Sequence, residues 1–266
     1  MAAGGGRRWP EITTDSHRQA PVTANVQRFA TVRALANEAA ARYCDAARAS
    51  VAARGRFCVV LSGGRTPAVL FEALRSTPWV EQAPWCDSHF FWSDERCVPP
   101  DHAGSNYGLA QRELLAHVPI PAGHVHRAPT ELGSPEQAGR AWEHALRGFF
   151  GAGAGKNVFP EFDLVLLGIG ADGHTASLFP GAPALEAASH WVAATDPMGD
   201  PPVSRLTLTL PVLNRAREVI FLAAGPDKRA VINSITGTGA SRRAGYPAAR
   251  VNPPRPPVWL YSETAL

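Results

Sequence analysis

Residues 168–181 read Gly-Ile-Gly-Ala-Asp-Gly-His-Thr-Ala-Ser-Leu-Phe-Pro-Gly, directly after the apolar run 162–167. They place His174 in a tight glycine turn at the end of a predicted buried strand. An imidazole there can titrate near neutral pH and act as a general base. In open α/β sheets, ligands bind beyond the carboxyl ends of strands. A second segment, 58–67, runs Cys-Val-Val-Leu-Ser-Gly-Gly-Arg-Thr-Pro. Its apolar strand ends in Ser62-Gly63-Gly64 and then opens a helix, with Thr66 expected as N-cap and Pro67 at the first helical position. Glycines admit a close anion, and the free N–H groups of a helix start point at it. A third segment, 90–100, delivers Asp94-Glu95-Arg96 from an aromatic strand, followed by Ser105-Asn106-Tyr107-Gly108. Acid and base side by side suit a polar site with internal charge pairing.

Together these segments resemble the 6-phosphogluconolactonases, from about Val26 to Leu260. The shared marks are Ser-Gly-Gly-x-Thr-Pro at 62–67, Asp-Glu-Arg at 94–96 with Ser-Asn-Tyr-Gly at 105–108, and Gly-x-Gly-x-Asp-Gly-His-Thr-Ala-Ser-Leu-Phe-Pro at 168–180. Ser204 to Thr209 and Gly225-Pro226-Asp227-Lys228 add weaker marks. The wider family includes glucosamine-6-phosphate deaminases, which carry a glutamate five residues after this histidine and Asp-Glu-Tyr at the acidic motif. Here those positions are Phe179 and Arg96, which favours the lactonase over a deaminase-like sugar-phosphate isomerase.

The resemblance implies hydrolysis of 6-phospho-D-glucono-1,5-lactone to 6-phospho-D-gluconate, in the oxidative branch of the pentose phosphate pathway. A lactone is an activated ester. It needs a base for water and donors or positive charge for the developing oxyanion. His174 is the candidate base. Asp172 either holds the turn or orients His174. Arg96 or nearby N–H groups are candidates for oxyanion or substrate stabilisation. Ser62, Gly63, Gly64 and Thr66 form the phosphate cradle, and the resemblance adds Arg205 and Lys228 as its charge partners. No cofactor and no metal is expected; His124 and His126 lack a supporting cysteine or acidic cluster and read as surface.

These residues need elements to hold them. The expectation is an α/β fold: a single domain over 21–266, with a largely parallel, Rossmann-like sheet covered by helices on both faces. Strands are predicted at 25–29, 57–61, 89–93, 162–167, 191–195, 205–209, 218–223 and 258–262. Helices are predicted at 31–53, 68–75, 105–116, 134–150 and 226–235. Residues 1–20 read as a disordered tail without a secretory apolar segment. The 266 residues suffice for a sizeable core, and the net charge of +3 is mild, with no dense basic block. The expected partner is a small phosphorylated sugar lactone, not nucleic acid or membrane. Four cysteines without metal spacing read as reduced, hence a cytoplasmic protein.

Two readings from other classes compete. Gly168-x-Gly170-x-x-Gly173 matches a dinucleotide fingerprint, but that motif needs a helix opening at the glycines, and Pro180-Gly181 stops one. A non-catalytic sugar-phosphate sensor would keep the phosphate loop and lose the base, whereas His174 is present.

Overall fold

The structure, a computed structural model, describes residues 25–151, 158–237 and 245–266. The expected tail at 1–20 lies outside the described residues. Strand β1 (Asn25–Phe29) enters helix α1 (Val32–Arg54) through Thr31, whose Oγ1 accepts the Ala34 N–H. Gly55 ends α1 at φ 72°, a left-handed conformation that glycine adopts without a steric penalty. The chain then runs β2 (Phe57–Leu61), α2 (Arg65–Leu74), α3 (Trp79–Gln82), β3 (Ser88–Trp92) and β4 (Asp94–Arg96). Helices α4 (Asn106–Glu113) and α5 (Pro135–Phe150) precede β5 (Leu164–Leu167). Strands β6 (Val192–Met198) and β7 (Val203–Leu208), helix α6 (Leu210–Leu213), β8 (Glu218–Ala224), α7 (Arg229–Thr236) and β9 (Val258–Ser262) complete it. Helix α5 starts as its sequence predicts: Ser134 and Gln137 form a reciprocal capping box, with Pro135 in the first turn.

Six strands form one sheet in the order β1-β9-β8-β5-β2-β3, every pair parallel. Strands β2 and β5 are buried along their whole length, as expected for a parallel sheet covered on both faces. Tyr43, Phe57, Phe71, Phe90, Phe91, Phe162 and Phe221 fill the layers between sheet and helices. The chain order reverses at β2 and β5. From β2 the sheet grows toward β3; from β5 it grows toward β8 and β9. The loops leaving β2 and β5 therefore diverge and open a crevice at their carboxyl ends.

Some expectations need correction. Strands β6 and β7 do not join the parallel sheet. With β4 they form a separate antiparallel sheet, order β4-β7-β6. Only residues 199–202 connect β6 to β7, and a parallel crossover needs a dozen or more. Helix α2 starts at Arg65, with Gly64 at φ 103° as N-cap, so neither Thr66 nor Pro67 has its expected position. Pro67 is tolerated inside the first turn because its missing N–H would have had no helical partner. Helix α4 ends at Glu113, and a separate 3₁₀ turn covers Leu115–His117. The 226–235 helix begins as a 3₁₀ turn over Pro226–Lys228. His124 and His126 are half-buried against His89 instead of lying free on the surface; His124 stacks on His89 at 3.9 Å, and His89 Nδ1 meets His126 Nε2 at 3.1 Å. All four cysteines are free thiols. Among the described residues, no helix is long and apolar enough to cross a membrane.

Candidate active site

The crevice at the carboxyl ends of β2 and β5 is a cleft of about 210 Å³. Pairing of Val59 with Leu164 and Val60 with Val165 sets the two exit loops side by side. Ser62, Gly63, Gly64 and Thr66 line the cleft from the β2 side, and His174 from the β5 side. Arg96, Arg205 and Lys228 line it as well. Asp172 stands behind His174.

The histidine turn is built around close approaches. Asp172 Oδ1 accepts from the His174 backbone N–H at 3.1 Å and faces His174 Nδ1 at 2.6 Å. One carboxylate oxygen thus contacts both the backbone of the turn and the imidazole. A carboxylate only accepts, so Nδ1 carries the hydrogen, and in the neutral ring that leaves the lone pair on Nε2. Burial alone would raise the Asp172 carboxyl, but the hydrogen bonds and charge of His174 hold it below the usual range. Ala176 adopts φ 49°, the left-handed region, and lines the cleft. The turn holds that strain because both neighbours are tied down: Thr175 Oγ1 donates to Gly168 O at 2.8 Å, and Ser177 Oγ to Asp94 Oδ2 at 2.6 Å. The stretch 168–182 contains no helix, so its glycines do not form a dinucleotide turn.

The Asp94-Glu95-Arg96 motif resolves into three separate jobs, not the expected internal ion pair. Asp94 is buried and accepts from the hydroxyls of Ser93 and Ser177. Glu95 caps α4: it accepts the N–H groups of Asn106 and Tyr107, both at 2.7 Å, and the Ser105 hydroxyl at 3.0 Å. Burial pushes its carboxyl above the ordinary range, and those N–H donors offset part of the rise. Arg96 turns to the cleft and donates to Gly104 O at 2.7 Å. The Ser-Asn-Tyr-Gly motif is therefore the partner of the acidic motif. It also supports the glycine loop after β2, because a Cβ on Gly63 would lie 1.8 Å from Asn106 Oδ1.

Arg96 and Arg205 face each other across β4 and β7. Arg205 is only 3% exposed, yet its Nη2 donates to a carbonyl, Pro201 O, at 3.0 Å. The Nε of each arginine is buried without a partner. Burial, then the nearby Arg96 charge, lowers the Arg205 guanidinium from its ordinary value. Among the described residues neither guanidinium forms an ion pair, and the charges of Asp94 and Asp200 offset only part of the lowering at Arg205, which makes the cleft ready for an anion. Across it, α2 starts without a side-chain cap, which leaves its first N–H groups for a ligand. Lys228 Nζ meets Asp227 Oδ2 at 3.0 Å within its own turn and still lines the cleft.

The glucosamine-6-phosphate isomerase/6-phosphogluconolactonase family matches residues 30–259. The chain belongs to this family. A 6-phosphogluconolactonase of Synechocystis sp. is 42% identical over 216 residues, 81% of this chain and 86% of its own length. Among solved structures, the 6-phosphogluconolactonase of Trypanosoma cruzi superposes with a TM-score of 0.81 at 27% identity, covering 93% of this chain and 97% of that one. The Thermotoga maritima 6-phosphogluconolactonase gives 0.75 at 32% identity, over 90% and 99%.

Sequence reasoning alone left out three residues that the structure brings to the site. Asp94 and Asn106 lie inside the quoted motifs, but a motif does not say which of its members face the cleft. Phe179 entered only as a contrast with the deaminases; its ring in fact packs on His174, with centroids 4.5 Å apart.

Proposed function

We propose that this member of the family hydrolyses 6-phospho-D-glucono-1,5-lactone to 6-phospho-D-gluconate, with His174 as the base. The observation that carries the reading is the shared cleft. It joins an imidazole held at Nδ1 by Asp172 to an uncapped glycine-rich helix start, the buried Arg205 guanidinium and the half-buried Arg96 guanidinium beside it. Ser62, Gly63, Gly64 and Thr66 hold the phosphate, with charge from Arg205 and Lys228. Arg96 stabilises the carbonyl oxygen as negative charge develops on it.

The step balances without a further group. Nε2 takes a proton from water as the water oxygen bonds to C1. The C1–ring oxygen bond then breaks, and the same proton passes from Nε2 to the departing ring oxygen. Asp172 keeps Nδ1–H in place and stabilises the imidazolium formed in between. The deaminase-like alternative lacks an acid at position 179, and the sensor alternative has no use for the Asp172–His174 pair. The four free thiols and a small anionic metabolite as substrate support a cytoplasmic enzyme with no nucleic acid or membrane partner.

The test is hydrolysis of freshly made 6-phosphogluconolactone, corrected for spontaneous ring opening. His174→Ala is expected to lower kcat by about 10²–10⁴-fold, the usual contribution of a placed base, with product binding retained. A variant that keeps more than about a tenth of the wild-type rate overturns the assignment.

A further inference from the structure

Phe179 belongs to neither the base nor the anion cradle, yet it touches both. Its ring lies 4.5 Å from the His174 ring, tilted by 35°. The Arg205 Cζ lies 5.6 Å from the centroid of the same ring. The side chain is 3% exposed and stands behind the cleft wall. Gly199 closes this contact set from the turn between β6 and β7: a Cβ there would come within 2.8 Å of Arg205 Nη2 and 2.9 Å of Phe179 Cζ. Gly199 has φ 74°, so the backbone can approach where any side chain would push the two apart.

Two consequences follow from an aromatic ring at this place. The imidazole has two in-plane and edge constraints, Asp172 at Nδ1 and the bare backbone of Gly170, and among the described residues only Phe179 supplies a ring contact. Without that contact the imidazole can swing about its Asp172 hydrogen bond, and Nε2 loses its aim at the water. Arg205 is a buried cation whose Nε has no partner. An aromatic ring attracts a guanidinium electrostatically while leaving its charge in place. An acid there would cancel that charge; a plain aliphatic chain would leave it unsupported.

We propose that Phe179 is a positioning residue that sets both halves of the reaction at once, fixing the His174 ring for attack and holding the Arg205 guanidinium toward the substrate anion. This rests on the lactonase reading above. A side chain that only filled the core would affect how much protein folds and nothing else.

The experiment measures kcat and KM for Phe179→Leu and Phe179→Met on 6-phosphogluconolactone and on unphosphorylated gluconolactone, with folding checked by circular dichroism and thermal midpoint. The methionine variant fills the space with a longer, more flexible apolar chain, so one of the two remains usable if leucine packs poorly. Expected is a kcat loss of about tenfold on both lactones, from the loosened imidazole. KM should rise about three- to tenfold on the phosphorylated lactone alone, the scale of one lost cation–aromatic contact. In an Arg205→Ala background, Phe179→Leu should still lower kcat but add nothing to KM. Folded variants with wild-type kcat and KM overturn the proposal. So does a loss by one common factor on both lactones with KM unmoved. If His174→Ala and Arg205→Ala themselves behave as wild type, the lactonase site assignment fails first. If they are impaired and the Phe179 variants are not, only the role of Phe179 fails.

Discussion

At the scale of single residues, the site depends on missing side chains as much as on present ones. A Cβ on Gly170 would lie 2.1 Å from His174 Nδ1 and 2.4 Å from Asp172 Oδ1. Gly170→Ala must therefore displace the pair that defines the base. Both side chains are partly open to solvent, at 30% and 50% exposure, so they can move aside without disturbing the core. We expect a kcat loss of about 10²-fold, the cost of misplacing a reacting group by an ångström, with the thermal midpoint nearly unchanged. Steady-state rates and a melting curve on the same preparation check this. Arg205 is the complementary case. Its burial makes any anion contact a desolvated one, so Arg205→Ala should cost about 2–5 kcal/mol in kcat/KM for the phosphorylated lactone. Gluconolactone, which has no phosphate to offer, should lose far less. Equal losses on both substrates would move Arg205 from the phosphate to the reacting carbonyl or to the fold.

At the scale of elements, the start of α4 joins two motifs that are far apart in chemistry. Glu95 satisfies the Asn106, Tyr107 and Arg96 backbone N–H groups, and Asn106 Nδ2 donates to Asp94 O while its Oδ1 meets Gly63. The helix cap thereby fixes the height of the glycine loop, the proposed phosphate cradle. Glu95→Ala would leave those three N–H groups, at buried or half-buried residues, without acceptors. The expected cost is about 3 kcal/mol or more in urea unfolding, since each abandoned buried donor is penalised. A fall in the use of phosphorylated lactone, beyond what the unfolded fraction explains, should accompany it. Unchanged stability would show that water replaces the carboxylate as the cap.

At the scale of the whole molecule, the acid-sensitive histidines lie at the end of the sheet opposite the cleft. The cleft lies at the carboxyl ends of the strands, whereas His89 opens β3 at the other end. Burial, then the neighbouring His124, lowers both His89 and His126 to about 4, and Arg56 adds to the effect on His89. Folded values below the unfolded value of about 6.5 mean that the native state prefers these rings neutral. Their contribution is intact above pH 6.5 or so and is lost as pH falls toward 4. Both rings are partly open to solvent, so we discount the full linkage value and expect about 2–3 kcal/mol in total. Urea midpoints at pH 7 and pH 4.5 measure it. His89→Phe should flatten that profile while leaving lactone kinetics at pH 7 as they are. An equally steep profile in the variant would assign the acid sensitivity to carboxylates instead.

The sequence by itself determined the local pieces. Apolar β-branched runs ending in glycine marked β2 and β5, Ser134-Pro135 marked the start of α5, and the order of the motifs marked the family. These signals are local because hydrogen bonding and φ preferences act over a few residues. Tertiary structure decided which members of a motif face the cleft. Asp94, Glu95 and Arg96 are consecutive, but pairing of β4 with β7 sends Arg96 to the cleft beside Arg205, while Glu95 turns to cap α4. It also decided that β6 and β7 leave the parallel sheet, although the short gap between the strands expected at 191–195 and 205–209 already disfavoured a crossover. The contact of Phe179 with both His174 and Arg205 was out of reach of any spacing rule. It joins residues 5 and 26 positions away, and only the packing of the histidine turn against β7 brings them together.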